Sequence, residues 1–195
     1  MRARAVLALS LLALTVATPV ATAASAPKKV CNLVRDGKGD GVYFATPNSR
    51  PLDVVTADIA TGVKNVTVIV RLDSLQSDTW TQQGAQYKVN FTAGGVNQYL
   101  RVQRSALGDN FDYGDQTGPN AGTVSLGEAF GNIDEAKGTV TMFAPKTAFK
   151  GVKGGTITAI VARSYFSTVA AYSPADEALS TAKYKDRTPS CLSSK

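Results

Sequence analysis

Carboxylates are the main candidates for chemistry in this chain, because histidine is absent from all 195 residues. Without imidazole, Ser-His-Asp and Cys-His nucleophilic mechanisms, histidine metal sites and histidine pH switching are excluded. What remains is a carboxylate pair, a lysine-activated serine or a hard cation held by carboxylates. Glutamate is confined to Glu128, Glu135 and Glu177. No spacing nominates two carboxyls to flank a sugar bond, which is what a glycosidase requires. The expectation is therefore a protein that is not an enzyme, with a carboxylate-based hydrolase as the third of three functional readings.

The aspartates carry more pattern. Asp36-Gly37-Lys38-Gly39-Asp40-Gly41 places two carboxylates in a glycine-rich turn, and Asp53 opens the first strong strand, with Asp58 near its end. Oxygen ligands on a flexible turn suit calcium, and Asp36, Asp40 and Asp53 are the ligand candidates. The segment is not an EF-hand loop, since lysine stands where that motif needs an acid or amide and the closing glutamate is missing. Asp and Gly are also ordinary turn formers. The turn therefore reads either as purely structural or as calcium-assisted, and no other cofactor is expected.

Aromatic residues supply the candidate ligand platform. Gly108 to Gly114 reads as a surface loop carrying Asp109, Phe111, Asp112 and Tyr113, followed by Asp115. Such a loop stacks on and hydrogen-bonds a sugar, or pins itself to the edge of the fold. Trp80, the only tryptophan, lies in the polar stretch Ser77 to Gln83 and reads as a surface platform or as a plug at one end of the core. Trp80, Tyr99, Tyr113 and Asp112 are the candidate ligand-binding residues. Basic residues are spread along the chain, with Arg101 and Arg104 the nearest thing to a local pair. A solvated face explains them as well as an anionic partner does.

The elements that must position these residues are strands. Val66, Val68, Val70 and Leu72 alternate with Thr67 and Arg71, and Tyr87, Val89 and Phe91 alternate with Lys88, Asn90 and Thr92. That period of two marks strands with one covered and one wet face. Further strands are expected at 52–59, 96–104, 121–126, 138–143 and 155–162, with a short edge strand over Val42 to Phe44. Gly94-Gly95 between two alternating runs is a hairpin signal. Residues 105–120 read as a long surface loop. Ser173 reads as the cap of a short helix from Pro174 to about Lys183, or as a capped turn. The fold class is all-β, an antiparallel β-sandwich with at most one short C-terminal helix.

Residues 1–23 have the order of a secretory signal peptide, with Arg2 and Arg4, an apolar run from Val6 to Val20 and small residues at Ala21 to Ala23. The apolar run is interrupted and short of the roughly 20 residues of a membrane span. Cleavage after Ala23 removes two arginines and takes the net charge from +6 to +4. Residues 24–30 follow as a short tether and 31–195 as a single domain, exported to the outside of the cell or its surface, with no membrane span after cleavage. Two cysteines, Cys31 and Cys191, are the whole supply. An oxidising compartment lets them pair. Nucleic acid is not an expected partner.

Cys31, the Asp36 to Asp40 turn, Leu52-Asp53-Val54-Val55 and the valine strand at 66–72 together resemble the opening of exported single-domain proteins of high-GC Gram-positive bacteria. Phe111-Asp112-Tyr113-Gly114-Asp115, Gly-Gly-x-Ile at 154–157, Ala175-Asp176-Glu177-Ala178 and Pro189-Ser190-Cys191 agree with that group. Residues 36–72 are in turn similar to the β-sandwich superfamily of DOMON domains and family 9 carbohydrate-binding modules. The first resemblance implies a stand-alone exported sandwich. The second implies a jelly-roll or DOMON-like sandwich that binds sugar or haem, sometimes with calcium. Haem is poorly served here, since only Met142 or a tyrosine is offered in place of histidine. The leading functional expectation is a non-catalytic binding module for a glycan or another cell-envelope component. The second is a structural or protein-interaction domain meeting another exported protein.

Overall fold

A computed structural model of the chain describes residues 29–76, 84–117, 122–168 and 171–194. The segment read as a signal peptide, most of the segment read as a tether, and Trp80 lie outside the described residues.

The valine run forms β3 (Asn65–Leu72), in which every second residue is buried. It pairs with β2 (Val54–Thr61) on one side and β9 (Thr139–Pro145) on the other. Two-residue β1 (Val34–Arg35) and β8 (Phe130–Asp134) complete a five-stranded sheet of order β1-β2-β3-β9-β8. The larger sheet is built on β4 (Ala85–Ala93), β5 (Val96–Ser105), β6 (Gly108–Gln116), β7 (Thr123–Glu128), β10 (Thr156–Ser167) and β11 (Tyr172–Ser180). Its order is β11-β10-β4-β5-β6-β7, and β12 (Tyr184–Lys185) pairs onto the start of β10. All pairings between these strands are antiparallel.

The two sheets enclose one apolar core. Val66, Val68, Val70, Val140 and Met142 from the small sheet join Tyr87, Val89, Phe91, Leu100 and Ile160 from the large one, none more than 1% exposed. The β4–β5 hairpin turns on Gly94 (φ 57°) and Gly95 (φ 77°), the two positive φ angles that a two-residue turn of matching twist requires. Cys31 and Cys191 form a disulfide with Cα atoms 5.3 Å apart, beside a parallel bridge between Val30 and Ser190. Closing a loop of this length is worth up to about 5 kcal/mol through the entropy of the unfolded chain. Among the described residues, no helix is long and apolar enough to cross a membrane.

Three local expectations are corrected. The segment read as a surface loop, 105–120, contains strand β6, paired on both sides by β5 and β7. Its period of two is hidden because the positions it turns to the outer face, Asp112, Gly114 and Gln116, are polar or glycine, yet all three are buried. The segment read as a helix from Pro174 is edge strand β11. Its register against β10 steps from Asp176 to Pro174, which leaves Ala175 as the extra residue of a bulge. The bulge turns both Ala175 and Ala178 inward, a spacing of three that imitates a helix, and Pro174 is tolerated because the strand lies at an edge. Val42 to Phe44 forms no strand, only an isolated bridge from Tyr43 to Thr46. Strand β8 was not anticipated.

Candidate functional site

β4 lies inside the large sheet and is buried on both faces. Its inner residues Tyr87, Val89 and Phe91 pack in the core, while its outer residues Gln86, Lys88 and Asn90 are only 5%, 7% and 7% exposed. The outer burial is polar. Strand register carries one row of charge straight across the six strands: Glu177 on β11 opposes Arg163 on β10, then come Lys88 on β4, Arg101 on β5, Asp112 on β6 and Glu128 on β7. Three cations therefore stand side by side in the middle, where like charges directly opposite one another are unfavourable.

The two arginines are neutralised from the ends of the row. Arg101 grips Asp112 through Nε at 2.7 Å and Nη2 at 2.5 Å, and the buried Tyr99 hydroxyl donates to the same carboxylate at 3.1 Å. That carboxylate and burial push the Tyr99 phenol up to about 12, burial being the larger cause. Arg163 pairs with Glu177 and donates to the Asn90 carbonyl at 3.3 Å. Lys88 has no carboxylate or hydrogen-bond partner among the described residues, and its ammonium stands 5.3 Å from the centre of the Tyr165 ring. Burial, with Arg163 and Arg101 alongside, brings its pKa down to about 8, so it remains mainly charged at neutral pH.

These groups line a groove of about 420 Å³, within the ~300–1,000 Å³ range of small-ligand sites. Lys88, Arg101, Arg163, Gln86, Tyr165 and Tyr172 face it, with the carboxylates of Asp176 and Glu177 on its β11 side. The closeness of β7 at its far side depends on Gly114, where the β6–β7 register shifts. A Cβ there would lie 1.9 Å from the Val124 carbonyl oxygen and 2.9 Å from the Tyr99 hydroxyl.

A second charged region adjoins the β11 rim. Asp36, Asp40 and Asp176 each offer a carboxylate oxygen, all within 4.8 Å of one another. Burial, reinforced by Asp40 and Asp36, raises the Asp176 pKa to about 6 even though the Val54 and Glu177 amides donate to it. Under the same turn lies Asp53, 1% exposed, accepting the Gly39 amide on Oδ2 while its buried Oδ1 has no hydrogen-bond partner among the described residues. Burial is the main cause that raises its pKa, with Asp40, Asp73 and Asp36 adding to it. Hard oxygen donors converging from a turn and a strand fit calcium.

The candidates from sequence thus separate. Tyr99 and Asp112 belong to the charged row of the groove. Tyr113 does not, since its ring packs against Phe149 at 5.5 Å on the core side. Asp36 and Asp40 come together as expected, but their third partner is Asp176, with Asp53 buried beneath the turn and outside that trio. Lys88, Arg163, Tyr165, Tyr172 and Asp176 were missed. The one available signal was that an interior strand carries Gln86, Lys88 and Asn90 in succession on one face. No protein-family model matches the chain, and a search of curated proteins finds none similar to it.

Proposed function

We propose that the chain is an exported, non-catalytic binding module that takes a glycan or another cell-envelope component in the groove on the outer face of its large sheet. The observation that carries this reading is the buried, polar outer face of β4, where amides, cations and two tyrosines converge on one concavity. Burying polar groups costs free energy unless they are satisfied, so a fold gains nothing from keeping Lys88 there for stability alone. Tyrosines beside hydrogen-bonding amides offer both the flat apolar contact and the polar edge that sugars need. Export rests on residues 1–23 and on the Cys31–Cys191 bond, which suits an oxidising compartment. A jelly-roll or DOMON-like sandwich, with the sugar-binding superfamily as its wider kin, is part of the same proposal.

The test is retention of the oxidised protein lacking residues 1–23 by insoluble polysaccharides and peptidoglycan. Tyr165→Ala and Tyr172→Ala are expected to release it, with Trp80→Ala as a third variant. Absence of retention across a broad panel contradicts the reading.

A specific feature favours the protein-interaction reading as the second one. On the edge strand β7, Val124 and Leu126 are 52% and 48% exposed, and Phe130 follows on β8 at 57%. An apolar edge strand is a surface that another chain can extend. Cross-linking from intact cells that captures one exported partner through β7 would favour it over the groove.

A further inference from the structure

We infer that the groove carries an anion subsite centred on Lys88, so that the ligand bears a carboxylate, phosphate or sulfate group. This rests on the binding-module reading and deepens it by naming the charge of the ligand. The row of charge is the reason. Arg163 and Arg101 flank Lys88 in register on the neighbouring strands, and each already has its carboxylate, Glu177 or Asp112. Lys88 is the cation of the row left without an ion pair among the described residues, and it stands between the other two.

Around Lys88 the neighbouring polar groups are already committed to one another. The Asn90 side chain donates to Gln116 and accepts from Arg163. Arg101 spends Nε and Nη2 on Asp112 and reaches Thr123 with Nη1 at 3.4 Å, so it is fixed in place. The side chains of Arg101 and Arg163 are 15% and 17% exposed and cannot swing away to disperse the positive charge. With Arg101 and Arg163 balanced by Asp112 and Glu177, an anionic group seated on Lys88 would pair with the one ammonium of the row that has no ion pair among the described residues, in a partly desolvated site where charge-assisted hydrogen bonds are strong. A neutral sugar would shed water from the ammonium and return no charge to it. The Tyr165 ring, over which the Lys88 ammonium lies, holds that cation beside the groove both residues line.

The experiment follows the ε-methylene resonances of the lysines in the oxidised protein while sodium phosphate, sulfate and acetate are added at constant ionic strength. Lys137, an exposed lysine paired with Asp134, serves as the reference. Lys88 is expected to shift saturably with at least one anion, with a midpoint at least tenfold lower than any change at Lys137, and to titrate at higher pH when the anion is bound. The three anions distinguish phosphate, sulfate and carboxylate as the source. In parallel, a tetragalacturonate and its methyl ester, in which methyl groups remove the charge, are compared by calorimetry on wild type and Lys88→Met. The acidic form is expected to bind at least tenfold more tightly, and Lys88→Met to erase the difference. Lys88 and Lys137 responding alike to every anion would overturn the subsite. If polysaccharide retention persisted in that case, the binding-module reading would survive without it. If Lys88 responded but no polysaccharide were retained, the subsite would stand and the glycan reading would fall.

Discussion

The inner and outer faces of the large sheet are buried to nearly the same depth on β4 and for different reasons. Inside, Tyr87, Val89 and Phe91 are covered by the small sheet, and the burial is apolar and returns stability. Outside, Gln86 and Lys88 line a groove and Asn90 lies buried next along the strand, and the burial is polar and leaves a cation without an ion pair among the described residues. The difference teaches that depth alone does not separate scaffold from site. What separates them is whether removing a side chain costs the fold or costs only the ligand.

Substitutions on the two faces should therefore diverge. Phe91→Ala on the inner face is expected to cost about 3–5 kcal/mol, measured by denaturant unfolding, and to leave ligand affinity unchanged below the new midpoint. Asp112→Ala on the outer face should cost less, about 2–3 kcal/mol, because it strands Arg101 with its charge half-shielded from water. It should also weaken binding, since Arg101 loses its anchor. If Asp112→Ala left both stability and binding untouched, the charged row would have no role.

Calcium probes the rim of the same face. If Asp36, Asp40 and Asp176 hold the ion with Asp53 beneath, calcium at ten times its dissociation constant should add about 1.4 kcal/mol at pH 7. The measurement is melting of chelated and reloaded protein, and equal midpoints would remove all four residues from the ligand set.

No loss of stability is expected at the centre of the row. Lys88→Met should be as stable as wild type or more stable at pH 7, because burying an unpaired ammonium is unfavourable. Its folded pKa near 8 lies below the ordinary lysine value, so the folded state binds fewer protons than the unfolded state above pH 8. Wild-type stability should then rise relative to Lys88→Met as pH increases from about 8 toward the ordinary lysine value of about 10.4, and level off above it. A variant less stable than wild type at every pH would mean that Lys88 serves the fold.

The inner face was legible in the sequence and the outer face was not. Valines at 66, 68 and 70 and the Tyr87-Val89-Phe91 alternation declare their strands locally, and Gly94-Gly95 declares the hairpin between β4 and β5. The charged row needs the register of strands far apart in the chain, since Arg163 meets Lys88 only because β10 pairs with β4. Asp112 looked like a loop residue because its burial depends on Arg101 across the strand, not on its own polarity. Asp176 looked like the first turn of a helix because the bulge at Ala175 disguised an edge strand. Tyr113, chosen for its company of aspartates, faces the core through the period-two geometry of the very strand that those aspartates concealed.

The most direct test of the outer face as the binding surface is an amide chemical-shift titration of the oxidised protein with soluble peptidoglycan fragments and acidic oligosaccharides. The expected result is saturable shifts concentrated at Gln86, Lys88, Arg101, Arg163 and Tyr165, with Val124, Leu126 and the core strands of the small sheet unmoved. Shifts centred on β7, or no shifts with any ligand in the panel, would contradict the account.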